Sequence, residues 1–457
     1  MDMKKLFACL LAVVTAVSLL AVPALAGPFQ PGFEIQSQSA YIVNEETGVV
    51  MYEKNAHEPM PAASMTKLMT TLILLEQTSP EEMDTRDFIA YRSLYDALYG
   101  KGGSTADIAS GAELTARELL YAMMLPSANE AAYIVAYKIG NGSVDNFVYI
   151  MNSRAKQLGC QNTTFVDPCG LDLNNVTTAY DMAQIVRYMS TDMPQKDLFA
   201  EVCKAYKYEM PAGVGYSTPN SPYSIFTTNM MIDESRGDHF YREYMQGGKT
   251  GSLEDWQNYA GWSVQDGMKF ISVVMHTPLS ADQYAVQYGY RKQHPALYET
   301  CLLMDWVYEN FKMDNALDTG AFVTEIPVKY STDTDTLKLY PADGLRTILP
   351  NESDQSILQK TYNLPESVAA PVKQGDVIGT VTLYLSGEAI GTVDLIAGSN
   401  VSRNPVLYFI SKLGEFFSSL YFKVLMVLVV IALAVYAAVF LRMSYKYRNS
   451  RQVKRRD

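Results

Sequence analysis

Residues 61–70 read PAASMTKLMT and lead into an apolar run, SMTKLMTTLILL, over 64–75. Ser64 and Lys67 stand three apart, so a helix from Ser64 to about Gln77 carries both on one face. A lysine among Leu68, Met69, Leu72 and Ile73 is partly desolvated. Desolvation disfavours the ammonium, and a neutral amine can take a serine proton. A serine in the first turn sits where N–H groups lack partners and the helix dipole is positive. That place suits a nucleophile whose substrate develops an oxyanion. The same S-x-x-K pattern recurs at Ser153–Lys156, within an amphipathic helix predicted over 144–158, where a solvated helix face accounts for it.

Two further motifs single out the first copy. Ser127-Ala128-Asn129 falls in a break between two predicted helices, 63 residues after Ser64. Lys249-Thr250-Gly251 opens a predicted strand pair, 122 residues after Ser127, and is the only K-T-G in the chain. A second S-x-N, Ser402-Arg403-Asn404, follows K-T-G and lies beside a predicted membrane span. One set alone has the order S-x-x-K, S-x-N, K-T-G.

Around these motifs the chain reads as α+β. Residues 40–52 form a strand, a turn at Glu45–Gly48 and a second strand. Residues 78–114 are polar, Gly-rich and loop-like. Thr115 with Glu118 makes a capping box before TARELLYAMML, and helical spacing resumes after Ser127 until Gly140. DPCGLDLNN is turn-rich, and TTAYDMAQIVRYMS opens a helix. Residues 206–245 show no clear pattern. Asn258–Val264 and Met268–His276 are strands joined by Gln265-Asp266-Gly267, and a helix fits Ala296–Phe311. The strands near 40–52 and 258–276 pair into one antiparallel sheet with helices against it. After 318 short strands alternate with turns, as in a separate all-β domain.

At 457 residues the chain holds two or three domains, and 48% hydrophobic with 19% charged residues describes an ordered protein. Residues 1–26 have the basic start, apolar stretch and Ala-Leu-Ala end of a secretory signal. Val424–Leu441 is uncharged and long enough to span a bilayer if Lys423 snorkels, and residues 442–457 carry seven Lys/Arg against one Asp. Positive charge stays on the cytoplasmic side, which places the bulk of the protein outside. The net charge is −12, of which 1–26 contribute +1 and 442–457 contribute +6, so 27–441 carry −19. An acidic exterior excludes nucleic acid as a partner. Four cysteines remain after the signal, Cys160, Cys169, Cys203 and Cys301; a 160–169 disulfide and buried free thiols are the two readings. Cysteine and histidine spacing offers no metal signature, and no cofactor is called for.

The ordered motif set resembles the low-molecular-weight penicillin-binding proteins that act as D-alanyl-D-alanine carboxypeptidases. AYIVNEETGVVMYEKNAHEPMPAASMTKLMT (40–70) resembles their opening hairpin and nucleophile helix. GAELTARELLYAMMLPSANEAA (111–132) resembles the second motif, and LGCQNTTFVDPCGLDLNNVTTAYDMAQI (158–185) the connecting segment. APVKQGDVIGTVTLYL (370–385) resembles their C-terminal β-sandwich. The resemblance implies a penicillin-binding protein/β-lactamase-like transpeptidase fold, then a small β-sandwich and one transmembrane helix. Its divisions are a signal peptide 1–26, catalytic domain 27–317, β-sandwich 318–402, juxtamembrane segment 403–422, transmembrane helix 423–441 and cytoplasmic tail 442–457.

The implied substrate is a peptidoglycan pentapeptide ending in D-Ala-D-Ala, with β-lactam antibiotics as covalent inhibitors. By resemblance, Ser64 attacks, Lys67 is its base and Ser127 relays protons between Lys67, Lys249 and the leaving amine. Asn129 bonds the substrate backbone. Lys249 and Thr250 hold its carboxylate, Gly251 admits the substrate strand, and the N–H groups of Ser64 and Ser252 form the oxyanion hole. Ser252 stands where the family commonly has His or Tyr, and RGDHFYREYMQGG (236–248) replaces a shorter lead into K-T-G.

Two alternatives share the fold. A β-lactamase needs a glutamate-activated water, usually on E-x-x-L-N, and none lies between Ser127 and Lys249. A silent wall-binding protein is marked by lost catalytic residues, and none is lost here. A His-based serine hydrolase lacks its G-x-S-x-G.

Overall fold

The computed structural model describes residues 29–453 apart from 237–238, 254, 281–293, 353–356 and 386. The secretory segment expected at 1–26 lies outside the described residues. The described chain divides into two compact units, the first running to Asp314 and taking in Arg346–Gln359 and Leu385–Ile390.

The first unit is built on a five-stranded antiparallel sheet. Its strands are β1 (Ser39–Asn44), β2 (Val50–Lys54), β3 (Met245–Leu253), β4 (Trp256–Gln265) and β5 (Met268–Pro278), in the order β2-β1-β5-β4-β3. The expected pairing of the N-terminal hairpin with the late strands is present, with Tyr41 opposite Val273. Asp266 and Gly267, at φ 52° and 76°, close a two-residue β4–β5 turn with Gln265 opposite Met268. Positive φ at both positions is what a type I′ turn requires.

β5 shows why these strands read as nearly continuous apolar runs. Successive side chains point to opposite faces of a sheet. Ile271, Val273 and Met275 enter one core, while Phe270 and Val274 enter another with Leu303, Met304 and Val307. Helices cover both faces, so both faces are apolar.

The helices of the first core are α1 (Thr66–Gln77), α2 (Ala116–Met124), α3 (Asn129–Ile139), α4 (Val144–Gln157), α5 (Ala179–Arg187) and α6 (Lys196–Lys204); α7 (Pro295–Asn310) lies in the second. α1 is buried from Thr66 to Leu75, which makes it the central helix of its core. Its start differs from expectation: Ala63–Met65 form a 3₁₀ turn, so Ser64 lies just ahead of the α-helix. The capping box is present, with Thr115 Oγ1 accepting from Glu118 N at 3.1 Å and Glu118 Oε2 accepting from Thr115 N at 3.0 Å. Thr115→Ala is expected to cost about 1 kcal/mol, read by chemical denaturation.

Several readings of the sequence are corrected. Residues 78–114 contain a strand, Arg86–Ile89, paired with Glu113–Thr115, and a short helix, Arg92–Asp96. These are too short and polar to show periodicity. Residues 206–245 contain a hairpin, Lys207–Met210 with Tyr223–Phe226. Lys249-Thr250-Gly251 does not open the strand pair but lies within β3, with Thr250 opposite Tyr259. The glycines that hide this strand are there for packing. A Cβ on Gly247 would lie 2.4 Å from Cys203 Cβ, and one on Gly248 would lie 2.6 Å from Ala260 O. The four cysteines are buried free thiols, so the 160–169 disulfide is not formed.

The second unit is a β-sandwich domain. Its main sheet runs Leu358–Asn363, Val377–Leu385, Glu388–Ala397, Thr336–Pro341, Thr324–Lys329 and Val368–Ala369. Leu337, Leu339, Val381, Leu383, Leu385 and Leu395 are buried. Asn404 then caps a helix, Pro405–Ser418, by accepting from Val406 N and Leu407 N at 2.9 and 3.1 Å. The last helix is Leu420–Val453, of which Leu420–Lys446 is long and apolar enough to cross a membrane.

Candidate active site

Three segments converge on one cavity of about 140 Å³. Its lining includes Ser64 from the 3₁₀ turn, Ser127 from the α2–α3 break, and Thr250 and Ser252 from β3. Alternation along β3 places Thr250 and Ser252 on one face, with Lys249 and Gly251 on the other. Lys67, Asn129 and Lys249 are buried behind these residues.

Lys67 is the centre of the arrangement. Its Nζ lies 2.7 Å from Asn129 Oδ1, 2.8 Å from the Cys169 carbonyl oxygen and 3.0 Å from Ser64 Oγ. The first two are acceptors only, so each takes an N–H from the amine. A neutral amine has two hydrogens. Both are thereby committed, and the lone pair is left facing Ser64 Oγ. Burial pushes the Lys67 pKa below the ordinary lysine range, which shifts its balance toward that neutral form. The apolar neighbours expected from sequence desolvate the amine, while its hydrogen bonds come from two distant segments.

One of those segments carries no functional motif. Asp167 Oδ1 accepts from Cys169 N at 2.7 Å and Gly170 N at 2.5 Å, and Oδ2 accepts from Asp172 N at 2.8 Å. Thr70 Oγ1 donates to the Pro168 carbonyl at 2.6 Å. The DPCGLD turn is thus held rigidly against α1, and it presents the Cys169 carbonyl to Lys67. In the sequence it shows as turn composition within the segment that resembles the family's connecting stretch, with nothing to mark the Cys169 carbonyl.

Lys249 is also fully buried, and its Nζ donates to the Thr250 carbonyl at 2.8 Å. Burial, and then the nearby Lys67, push its pKa well down. A charge on Lys67 disfavours a second one on Lys249.

Ser127 is 3% exposed, has φ 68°, and its Oγ has no hydrogen-bond partner among the described residues. The relay expected between Lys67 and Lys249 is therefore not a standing hydrogen-bond chain. Left-handed backbone at a non-glycine residue costs about 1–3 kcal/mol and is held by its surroundings. Here Ala128 N donates to the Ala122 carbonyl and Asn129 N to the Ser104 carbonyl, each at 2.9 Å.

Gly251 also answers to packing inside the protein. A Cβ there would meet Ala62 O at 3.1 Å and Ala63 Cβ at 3.2 Å, so the missing side chain makes room for the loop carrying Ser64. Further cavity-lining residues lie outside the three motifs. Thr228 Oγ1 lies 2.7 Å from Thr250 Oγ1, fixing that hydroxyl. Ser104, Gln257, Asn258, His294 and Leu297 complete the lining. Their approach depends on chain folding alone, so no local signal in the sequence marks them.

Residues 26–278 match the family model described as D-alanyl-D-alanine carboxypeptidase, and 311–403 match that of the penicillin-binding protein 5 C-terminal domain. The D-alanyl-D-alanine carboxypeptidase DacF of Bacillus subtilis is 23% identical over 379 residues, 82% of this chain and 89% of that one. The structure of penicillin-binding protein 5 from Haemophilus influenzae is 23% identical, with a TM-score of 0.58 over 82% of this chain and all of that one. That of carboxypeptidase DacD from Francisella tularensis is 21% identical, with a TM-score of 0.62 over 85% and 98%.

Proposed function

Since the chain belongs to the D-alanyl-D-alanine carboxypeptidase family, a family of penicillin-binding serine peptidases, we propose that it trims stem peptides through an acyl-enzyme on Ser64. The observation that carries this is the buried Lys67 amine, which lies 2.7 and 2.8 Å from two carbonyl oxygens and 3.0 Å from Ser64 Oγ.

Ser64 Oγ attacks the carbonyl of the penultimate D-alanine and its proton passes to Lys67. The N–H groups of Ser64 and Ser252 stabilise the oxyanion. As the C–N bond breaks, Lys67 gives that proton up through the Ser127 hydroxyl to the leaving amine, so D-alanine departs and the lysine is a free base again. Water then attacks the ester, with the same amine as base, and frees the shortened peptide. Lys249 takes up a proton to pair with the substrate carboxylate beside Thr250, and Asn129 bonds the substrate backbone through its amide nitrogen. β-Lactams enter by the same attack and stay as esters.

The membrane reading rests on Leu420–Lys446 and on the basic residues that follow. That helix anchors the protein, the tail stays cytoplasmic and the catalytic unit faces the wall, delivered by a signal over 1–26.

The reading is tested by labelling the protein with a fluorescent penicillin, mapping the adduct by mass spectrometry, and assaying D-alanine release from a D-Ala-D-Ala peptide. The expected adduct is on the peptide containing Ser64, with D-alanine released. An adduct elsewhere overturns the nucleophile, and rapid turnover of penicillin without release of D-alanine favours the β-lactamase.

A further inference from the structure

Ala63, the residue before Ser64, has φ 49°, left-handed backbone that a non-glycine residue does not hold unaided. The segment ahead of it pairs through Met60 and Pro61 with Val176–Thr177, and Ala62 N donates to the Asn175 carbonyl at 2.7 Å, while its carbonyls are taken by side chains, above all by one buried amide. Asn258 Nδ2 donates to the Pro61 carbonyl at 3.0 Å and to the Ala62 carbonyl at 3.2 Å, and Oδ1 accepts from His276 N at 2.7 Å. Asn258 is 1% exposed, so this bonding capacity is spent inside the protein. The strands are shaped to permit it. The β4–β5 register shifts between Gln257 and Tyr259, and His276 has φ 55°. Such a bulge frees one N–H from the ladder and re-aims it, and the Asn258 side chain collects it. On the neighbouring strand, Gly251 leaves the space through which the loop reaches Asn258, its hypothetical Cβ lying 3.4 Å from Asn258 Cβ.

We infer that Asn258 is a positioning residue for the nucleophile, clamping the peptide units of Pro61 and Ala62 to the sheet so that Ser64 Oγ stays within reach of the Lys67 amine. Neither Lys67 nor Asn129 is among its partners, so it acts on the serine side of the proton transfer only. The inference rests on Ser64 being the nucleophile. A displacement of about 1 Å at a reacting group costs on the order of 100-fold in rate.

The test separates reaction from binding. Saturation kinetics with a fluorescent penicillin give the acylation rate constant and the dissociation constant of the preceding complex, using full-length protein in detergent. Asn258→Ala is expected to lower the rate constant about 10- to 100-fold while leaving the dissociation constant near that of wild type. Asn258→Asp keeps the acceptor for His276 N but sets a carboxylate oxygen against two carbonyls. Its defect is expected to equal or exceed that of Asn258→Ala, and it decides the matter if Asn258→Ala does not fold. A folded Asn258→Asp that acylates at the wild-type rate overturns the inference, as does a loss carried by the dissociation constant. Ser64→Ala distinguishes the two levels. If it still labels, the nucleophile reading fails; if it does not and Asn258 variants acylate normally, the clamp alone fails.

Discussion

Lys67→Met is expected to slow acylation by penicillin about 10⁴-fold, the upper range for removing a general base. Methionine fills the space of the buried lysine stem but offers no lone pair on nitrogen to Ser64 Oγ. The change leaves Asn129 Oδ1 and the Cys169 carbonyl without their donor, each costing about 1–3 kcal/mol, partly offset by removing a desolvated amine. Folding therefore suffers less than chemistry does. The pH profile carries the more specific expectation. The base works deprotonated, so the rate is lost as pH falls through the Lys67 pKa. Burial lowers that pKa, which places the acid limb below the free-lysine value of about 10.4. In the proposed mechanism Lys249 holds a carboxylate in its protonated form, so its titration is expected to give the opposite limb. Two interacting lysines titrate as a pair, so the apparent values belong to both. In Lys67→Met the acid limb is expected to vanish. An acid limb unchanged in the variant rules Lys67 out as the base.

Gly170→Ala is expected to destabilise the first unit by about 3 kcal/mol. Gly170 has φ 83°, a conformation that costs an alanine about 1–2 kcal/mol. Its Cβ would also lie 1.8 Å from Ala63 O and 2.8 Å from Thr66 Oγ1. Overpacking of that kind adds about 1–3 kcal/mol. Gly111→Ala is the matched control, since Gly111 has φ 88° and nothing lies within 4 Å of where an alanine methyl would sit. It is expected to lose the conformational cost alone, about 1–2 kcal/mol. Chemical denaturation of both variants gives the difference directly. Equal midpoints for the two contradict the close approach of the DPCGLD turn to the Ser64 loop. Acylation is expected to fall with Gly170→Ala alone, because the methyl pushes on Ala63 and on the turn that offers the Cys169 carbonyl to Lys67.

What is legible in the sequence follows from where the signal lies. Thr115 and Glu118 cap α2 through bonds within one turn, and Asp266-Gly267 turn a hairpin through their own backbone angles. Both are local, so both stand out. The order of Ser64, Lys67, Ser127, Asn129 and Lys249-Thr250-Gly251 selects one S-x-x-K from two; Ser64, Ser127 and Thr250 line one cavity, and Lys67 reaches Ser64 and Asn129. The strand β3 is concealed because Gly247, Gly248 and Gly251 answer to neighbours above and below them rather than to the period of the strand. The short strand at Arg86–Ile89 is concealed because four residues, mostly exposed, carry no periodicity.

Residue types and their spacing determined the chemistry on offer: a serine and an amine one helical turn apart, a K-T-G that follows S-x-N in the chain, and an apolar C-terminal stretch. They also determined that the amine would be buried, since the run around Lys67 is apolar throughout. Only the tertiary structure decided which way that amine faces. Its direction is set by carbonyl oxygens from Asn129 and Cys169, 62 and 102 residues away in the chain. The Ala62 carbonyl just ahead of Ser64 accepts from an amide at Asn258, 196 residues away. Hydrogen bonds act over about 3 Å whatever the sequence separation, so partners of this kind become visible only once the chain has folded.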